Sequence, residues 1–326
     1  MHNIVLRCDS ISKYFPFYTG FIRRKKKFIK AVDGISFELK RGEILGIVGE
    51  SGCGKSTLAR TLLLITRSTT GKIIFENQDI TNFNEKALKP FRKKMSIIYQ
   101  DPYASLDPRA TIKSIISEPL KIHRMTKRSE IDDRVESMLE VVGLGKEAMS
   151  RFPHEFSSGQ RQRINIARAL ILEPELLIAD EPTSALDVSV QAKILNLLLK
   201  LHDKFKLSII FISHDLSLVQ YLCDSIMVVY LGQVVELAPT VGLESTLLHP
   251  YTKALWDSIP IPDPEHHKKS GKLNINEESP ASIDSDSFSG CKFYHRCPNA
   301  MNKCREVIPS LTKITGGHFV RCHLYN

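Results

Sequence analysis

The stretch "GESGCGKST" (49–57) restricts the architecture of this chain more than any other. It satisfies G-x-x-x-x-G-K-[ST] and lies between the apolar run "EILGIVG" and the helix-forming "STLARTLLLI". A strand that ends in a glycine loop and restarts as a helix is the context in which this pattern becomes a mechanism. Gly52 and Gly54 let the backbone wrap a β-phosphate, Lys55 would bridge β- and γ-phosphates, and Ser56 would set its hydroxyl on Mg²⁺. Thr57 is placed to reach the α-phosphate, and Gly49, Ser51 and Cys53 complete the loop.

The rest of the chain repeats that alternation. "VDGISFEL", "GKIIFENQDI", "MSIIYQDP", "ELLIADEP", "LSIIFISHD" and "DSIMVVYLGQVVE" read as strands, and "SVQAKILNLLLKLHDKF" as a helix between two of them. From about 111 to 172 the pattern is helical and more charged. Strand and helix in that rhythm predict a parallel sheet flanked by helices, with a helical insertion. After about 246 the texture changes: "HPYTKALWDSIP" fits a short helix, and a Pro/Ser/Gly-rich stretch leads to a loop-rich, cysteine-bearing tail.

Two further stretches carry chemistry. "LLIADEP" sets Asp180 and Glu181 at the end of an apolar strand, where Asp180 would hold the Mg²⁺ shell and Glu181 would orient and deprotonate a water. With the glycine loop upstream, the inference is ATP hydrolysis. "HEFSSGQRQRINIAR" (154–168) runs a Ser-Ser-Gly turn into a helix, which presents backbone N–H groups and a helix dipole to an anion. One chain therefore carries two phosphate grips.

These motifs, in order, resemble the ATP-binding-cassette (ABC) ATPases over roughly residues 4 to 245: "GESGCGKST", the glutamine of "IIYQDP", "FSSGQRQR", "LLIADEP", "SALD" and "ISHD". The resemblance implies an α/β P-loop NTPase cassette, with a RecA-like parallel-sheet core, an antiparallel β subdomain and a helical subdomain at about 101–172. It also implies a head-to-tail dimer, in which the signature of one subunit closes on the γ-phosphate held by the other. On that basis Ser157 and Gly159 contact the trans γ-phosphate and Gln160 opens the helix. Gln100 senses Mg²⁺ and the attacking water, His214 bonds the γ-phosphate and supports Glu181, and Asp187 lies at the dimer seam. Tyr14 is the aromatic expected against adenine, with Phe15 competing. Position 158 departs from the family's Leu-Ser-Gly-Gly-Gln: if it needs close backbone approach or positive φ, Ser158 weakens the grip.

The tail narrows the class. "HPYTKALWDSIPIPDP", "GCKFYHRCPNAMNKC" and "GHFVRCHL" resemble the C-terminal extension of oligopeptide/dipeptide-importer ATPases, dividing the chain into 1–245 and 246–326. That implies two permease subunits, a second and related ATPase subunit, an extracytoplasmic solute-binding protein, no nucleic acid, and a peripheral place on the cytoplasmic face of the membrane. Nickel and glutathione importers are relatives, and a soluble non-transport ABC ATPase is the alternative class. No apolar run approaches the ~18 residues of a membrane helix, and the start has no secretory pattern. The net charge of +9 is partly local: "FIRRKKKFIK" (21–30) fits a solvated loop or an arm near lipid headgroups. Cys291, Cys297, Cys304 and Cys322 are spaced C-x₅-C-x₆-C-x₁₇-C, wider than zinc-ribbon knuckles. Four thiolates suit Zn²⁺ or a [4Fe–4S] cluster, and His295, His318 and His323 are nearby candidate zinc ligands. The family resemblance implies [4Fe–4S], in a structural role.

Overall fold

The computed structural model describes residues 4–19, 25–124, 127, 130–259 and 289–326. Two long strands, β1 (Ile4–Thr19) and β2 (Lys25–Lys40), precede the short buried strand β3 (Ile44–Val48). The glycine loop leads into α1 (Lys55–Leu62), followed by β4 (Thr70–Phe75), β5 (Gln78–Asp79), α2 (Glu85–Arg92) and β6 (Met95–Ile98). The expected helical stretch consists of α3 (Ile112–His123), α4 (Ile131–Val141) and α5 (Ser158–Leu170). Alternation then resumes through β7 (Leu176–Asp180), α6 (Val188–Phe205), β8 (Ser208–Ser213) and α7 (Leu216–Leu222). A hairpin, β9 (Ser225–Tyr230) and β10 (Gln233–Pro239), precedes α8 (Leu243–Thr246) and α9 (Pro250–Asp257). The tail adds α10 (Asn302–Glu306), β11 (Thr312–Thr315) and β12 (His318–Val320).

The chain divides into two compact units. The first gathers Leu39–Ile44 and Phe75–Ile212 with the N-terminal residues up to Leu6. Its β6, β7 and β8 run parallel, Met95 opposite Leu176 and Leu176 opposite Ser208. β7 and β8 are buried along their whole length, as strands covered on both faces must be. α3, α4 and α5 pack on one another. The buried side of α3 is Ile112, Ile115, Ile116 and Leu120, and its first turn is capped by Thr111, whose hydroxyl accepts the Ser114 N–H.

The second unit comprises Arg7–Glu38, Leu45–Ile74 and the chain from Ser213 onward. β1 lies between β2 and β4. β3 pairs in parallel with β9, Leu45 opposite Ser225, and β9 folds back antiparallel on β10. The turn between them is Leu231-Gly232, at φ 45° and 77°, the left-handed pair that a two-residue hairpin of this twist requires. The stretch "DSIMVVYLGQVVE" (224–236), expected as one strand, thus falls in two. β12 then adds to β10, Glu236 opposite Val320, and β11 adds to β12. Of the basic segment, 25–30 lies in β2 rather than a loop, and 21–24 falls outside the described residues.

Candidate nucleotide site

In the second unit, β3 delivers the chain into the glycine loop and α1 begins at Lys55 itself. Lys55 is 5% exposed. Its Nζ curls over the loop, donating to the carbonyls of Gly49 at 2.7 Å and Glu50 at 3.1 Å. Gly54, at φ 107°, caps the helix, and a Cβ there would stand 1.9 Å from the carbonyl oxygen of Ala31. Only glycine fits both constraints. Ser51 and Gly52 are exposed, Ser56 and Thr57 half-buried, and Cys53 buried, with burial raising its thiol pKa against the pull of Lys55. Open loop backbone, a helix N-terminus and a lysine at its rim suit a polyphosphate.

Tyr14 belongs to the same unit, on β1. Its hydroxyl donates to Asp33 at 2.6 Å, and burial with that bond raises its pKa. Phe15, the competing aromatic, is the more exposed of the two. His214, exposed, stands between β8 and α7, whose N-terminus Asp215 caps by accepting the Ser217 N–H at 2.8 Å.

The first unit holds the acidic residues. Asp180 closes β7 and is 3% exposed. Glu181 follows at φ 47°, an uncommon conformation for a residue with a side chain. Three hydrogen bonds hold it there: its N–H to Ile212 at 3.1 Å, and its carbonyl from the Ser184 N–H at 3.2 Å and hydroxyl at 3.1 Å. Backbone strain of this kind concentrates at functional sites. The turn aims the carboxylate at Gln100, whose Nε2 donates to it at 2.9 Å. Nothing in the sequence signalled that strained turn.

The signature helix α5 begins with a reciprocal cap. Ser157 Oγ accepts the Gln160 N–H at 3.3 Å, and Gln160 Oε1 accepts the Ser157 N–H at 3.0 Å. Ser158 is helical and absent from the positive-φ residues, so a serine is accommodated there without strain. Close approach is needed one position later: a Cβ on Gly159 would fall 2.5 Å from Cγ1 of Val190 in α6. Asp187 occupies the N-cap position of α6 and is exposed.

The four tail cysteines are near enough for the other three thiols to raise the pKa of Cys291. Burial is the larger cause there and takes it to about 12; burial likewise takes Cys297 to about 11. Backbone N–H groups two residues on, from Phe293, Asn299 and Leu324, point at the sulfurs of Cys291, Cys297 and Cys322. Among the described residues, however, no three His, Cys, Asp or Glu side chains stand close enough to hold a metal ion. His318 and His323 are committed elsewhere, to Glu236 at 2.7 Å and to the Val307 carbonyl at 2.9 Å.

Residues 32–184 match the family "ABC transporter", and 235–304 match "Oligopeptide/dipeptide transporter, C-terminal region". The oligopeptide transport ATP-binding protein AppF of Bacillus subtilis is 48% identical over 99% of this chain and 98% of its own length. The probable peptide ABC transporter ATP-binding protein y4tS of Sinorhizobium fredii is 42% identical over 99% and 91%. Among solved structures, cbiO1 from Clostridium perfringens, part of the ABC transporter complex cbiONQ, superposes with a TM-score of 0.63 at 28% identity, covering 75% of this chain and 92% of that one. The ATP-binding cassette MJ0796, in a dimeric post-hydrolysis state bound to ADP and Pi, gives 0.64 at 26% identity, covering 72% and 98%.

Proposed function

The chain belongs to the ABC transporter ATPases that carry the oligopeptide/dipeptide-type C-terminal region, and it hydrolyses ATP; from that premise we propose that the hydrolysis drives uptake of di- or oligopeptides. Residues 1–245 form the cassette, 101–172 its helical subdomain, and 246–326 the extension. Lys55 and the backbone of 49–57 bind the β- and γ-phosphates, and Tyr14 lies against the base. Ser56, Asp180 and Gln100 would hold Mg²⁺, which would supply charge neutralisation of the phosphates. Glu181 takes the proton of the attacking water, Gln100 senses that water, His214 bonds the γ-phosphate and supports Glu181, and Ser157, Gly159 and Gln160 serve the partner subunit's nucleotide. The observation that carries this reading is the Gln100–Glu181 hydrogen bond at the strained end of β7, directly after a buried aspartate.

No helix among the described residues is long and apolar enough to cross a membrane, and the chain's relatives are named as ATP-binding proteins of peptide transport. We assign it two permeases, a second ATPase that is either a related chain or another copy of this one and, indirectly, a solute-binding protein, with the chain on the cytoplasmic face. Backbone N–H donors at three of the four cysteines, Cys291, Cys297 and Cys322, suit a thiolate-held centre, [4Fe–4S] or Zn²⁺, whose ligation by the four would stabilise the tail.

Glu181→Gln tests the chemistry: hydrolysis should fall by about 10²–10⁴, the usual contribution of a general base, while ATP binding persists. Hydrolysis at the parental rate would remove Glu181 from its role. Affinity purification from membranes tests the setting and should recover two permeases. Ribosomes or DNA-repair factors in their place would reject import.

A further inference from the structure

The glycine loop and β2 are each gripped by a basic side chain from the cysteine-bearing tail. Arg296, the residue before Cys297, forks onto Glu50 inside the loop: Nη1 to Oε2 at 2.9 Å and Nη2 to Oε1 at 2.8 Å. Glu50 is held at two further atoms. Its N–H donates to the Tyr251 hydroxyl at 3.0 Å, and its carbonyl accepts Lys55 Nζ at 3.1 Å. The guanidinium is itself clamped, lying over the rings of Tyr230 at 5.7 Å and Phe293 at 5.9 Å. Lys292, the residue after Cys291, reaches the other end. Its Nζ sits 2.9 Å from Asp33 Oδ2 and donates to the Leu231 carbonyl at 2.7 Å. The other oxygen of Asp33 accepts the Tyr14 hydroxyl at 2.6 Å.

Such pairs are weak evidence for stability, because desolvation offsets most of the Coulombic gain. What they fix is geometry and charge. Glu50 puts a carboxylate on a loop that must receive a polyanion, and the fork of Arg296 both neutralises it and sets its direction. Asp33 orients an aromatic ring by its hydroxyl, and Lys292 sets Asp33.

We propose that the tail positions the nucleotide site of its own chain, Arg296 acting through Glu50 on the phosphate loop and Lys292 acting through Asp33 on Tyr14. This rests on the nucleotide reading given above. It makes the tail a part of ATP binding rather than an appendage to it.

Equilibrium binding to the full chain tests it, with MgATP and inorganic tripolyphosphate as probes. Arg296→Gln should weaken both by about tenfold, the factor that roughly 1.4 kcal/mol represents. Lys292→Met should weaken MgATP and leave tripolyphosphate unchanged, since only ATP carries a base. The paired variants Glu50→Gln/Arg296→Gln and Asp33→Asn/Lys292→Met remove both charges, avoid a buried orphan, and should recover most of the lost affinity. A role in folding alone would lower thermal stability without separating the two probes, and that result overturns the proposal. So does parental affinity for MgATP in both single variants. Lys55→Ala is the separate control: if it too binds MgATP normally, the nucleotide reading itself has failed.

Discussion

His249 caps α9 as a hydrogen-bond acceptor: its Nδ1 takes the Tyr251 N–H at 3.1 Å, which only a neutral imidazole does in that place. The side chain is 2% exposed and lies 5.6 Å from the ring of Phe293. Burial depresses its pKa from 6.5 to about 4, against a weaker opposite pull from Glu236. Above pH ~6.5 the residue is neutral folded or unfolded, and its full contribution is present. As the pH falls, the unfolded chain takes a proton that the folded one resists, so stability is lost down to about pH 4, where the loss levels off. At 1.36 kcal/mol per tenfold in proton affinity, the interval is worth about 3 kcal/mol, a large share of the ~5–15 kcal/mol that holds a domain together. His249→Asn retains a capping acceptor and does not titrate. Urea unfolding of both chains, from neutral pH to about pH 4, should show the variant less stable at neutral pH because it packs less well. The gap should then close by about 3 kcal/mol toward pH 4. Parallel pH profiles for the two chains would refute the argument.

Gly54→Ala should lose nucleotide binding and destabilise the fold by well over ~1 kcal/mol, since its Cβ meets the Ala31 carbonyl at 1.9 Å at a φ of 107°; thermal unfolding and an ATP-binding isotherm measure both. Chains carrying Lys55→Ala and Ser157→Arg should each be inactive, yet recover part of the ATPase activity on mixing, because one intact composite site forms in the mixed dimer; no recovery means the signature does not act in trans. Protein purified without oxygen should be brown, with broad absorption near ~400 nm, and Cys291→Ser should bleach it. Colourless protein with stoichiometric zinc would select zinc, and metal-free protein with an ordered tail would reject both.

The parts of this molecule that were legible in the sequence are those fixed by local rules. β3, β7 and β8 are unbroken apolar runs because they are buried on both faces, and Lys55, Asp180 and Glu181 are read off short motifs at their ends. α5 begins with its capping box at Ser157 and Gln160, also a local pattern. Long-range features left no such trace. The hairpin at Leu231-Gly232 was hidden because both of its strands are almost entirely buried, which erased the alternation that marks a reversal. Nothing in "GCKFYHRC" announces that Lys292 and Arg296 answer Asp33 and Glu50, more than two hundred residues away. Nor does "VVELAP" announce that Glu236 is a buried carboxylate. Burial raises its pKa, but the His318 ring and the N–H groups of Leu248 and His249 outweigh that and hold it low.

The pairing of β12 with β10 bears on where this protein can be cut. In a cassette ending after α8, β10 would be the last strand on that side, a mostly buried strand whose outward groups around Val235, Glu236 and Leu237 have lost their neighbour. An apolar, unpaired border of that kind recruits other chains. With the tail present, the border among the described residues passes to β11, a strand of four mostly exposed residues rich in threonine and carrying Lys313, which offers a stranger little to bind. Shortened versions lacking the tail are therefore expected to accumulate as aggregates even with every nucleotide-binding motif present, and loss of activity in them would report insolubility before it reported catalysis.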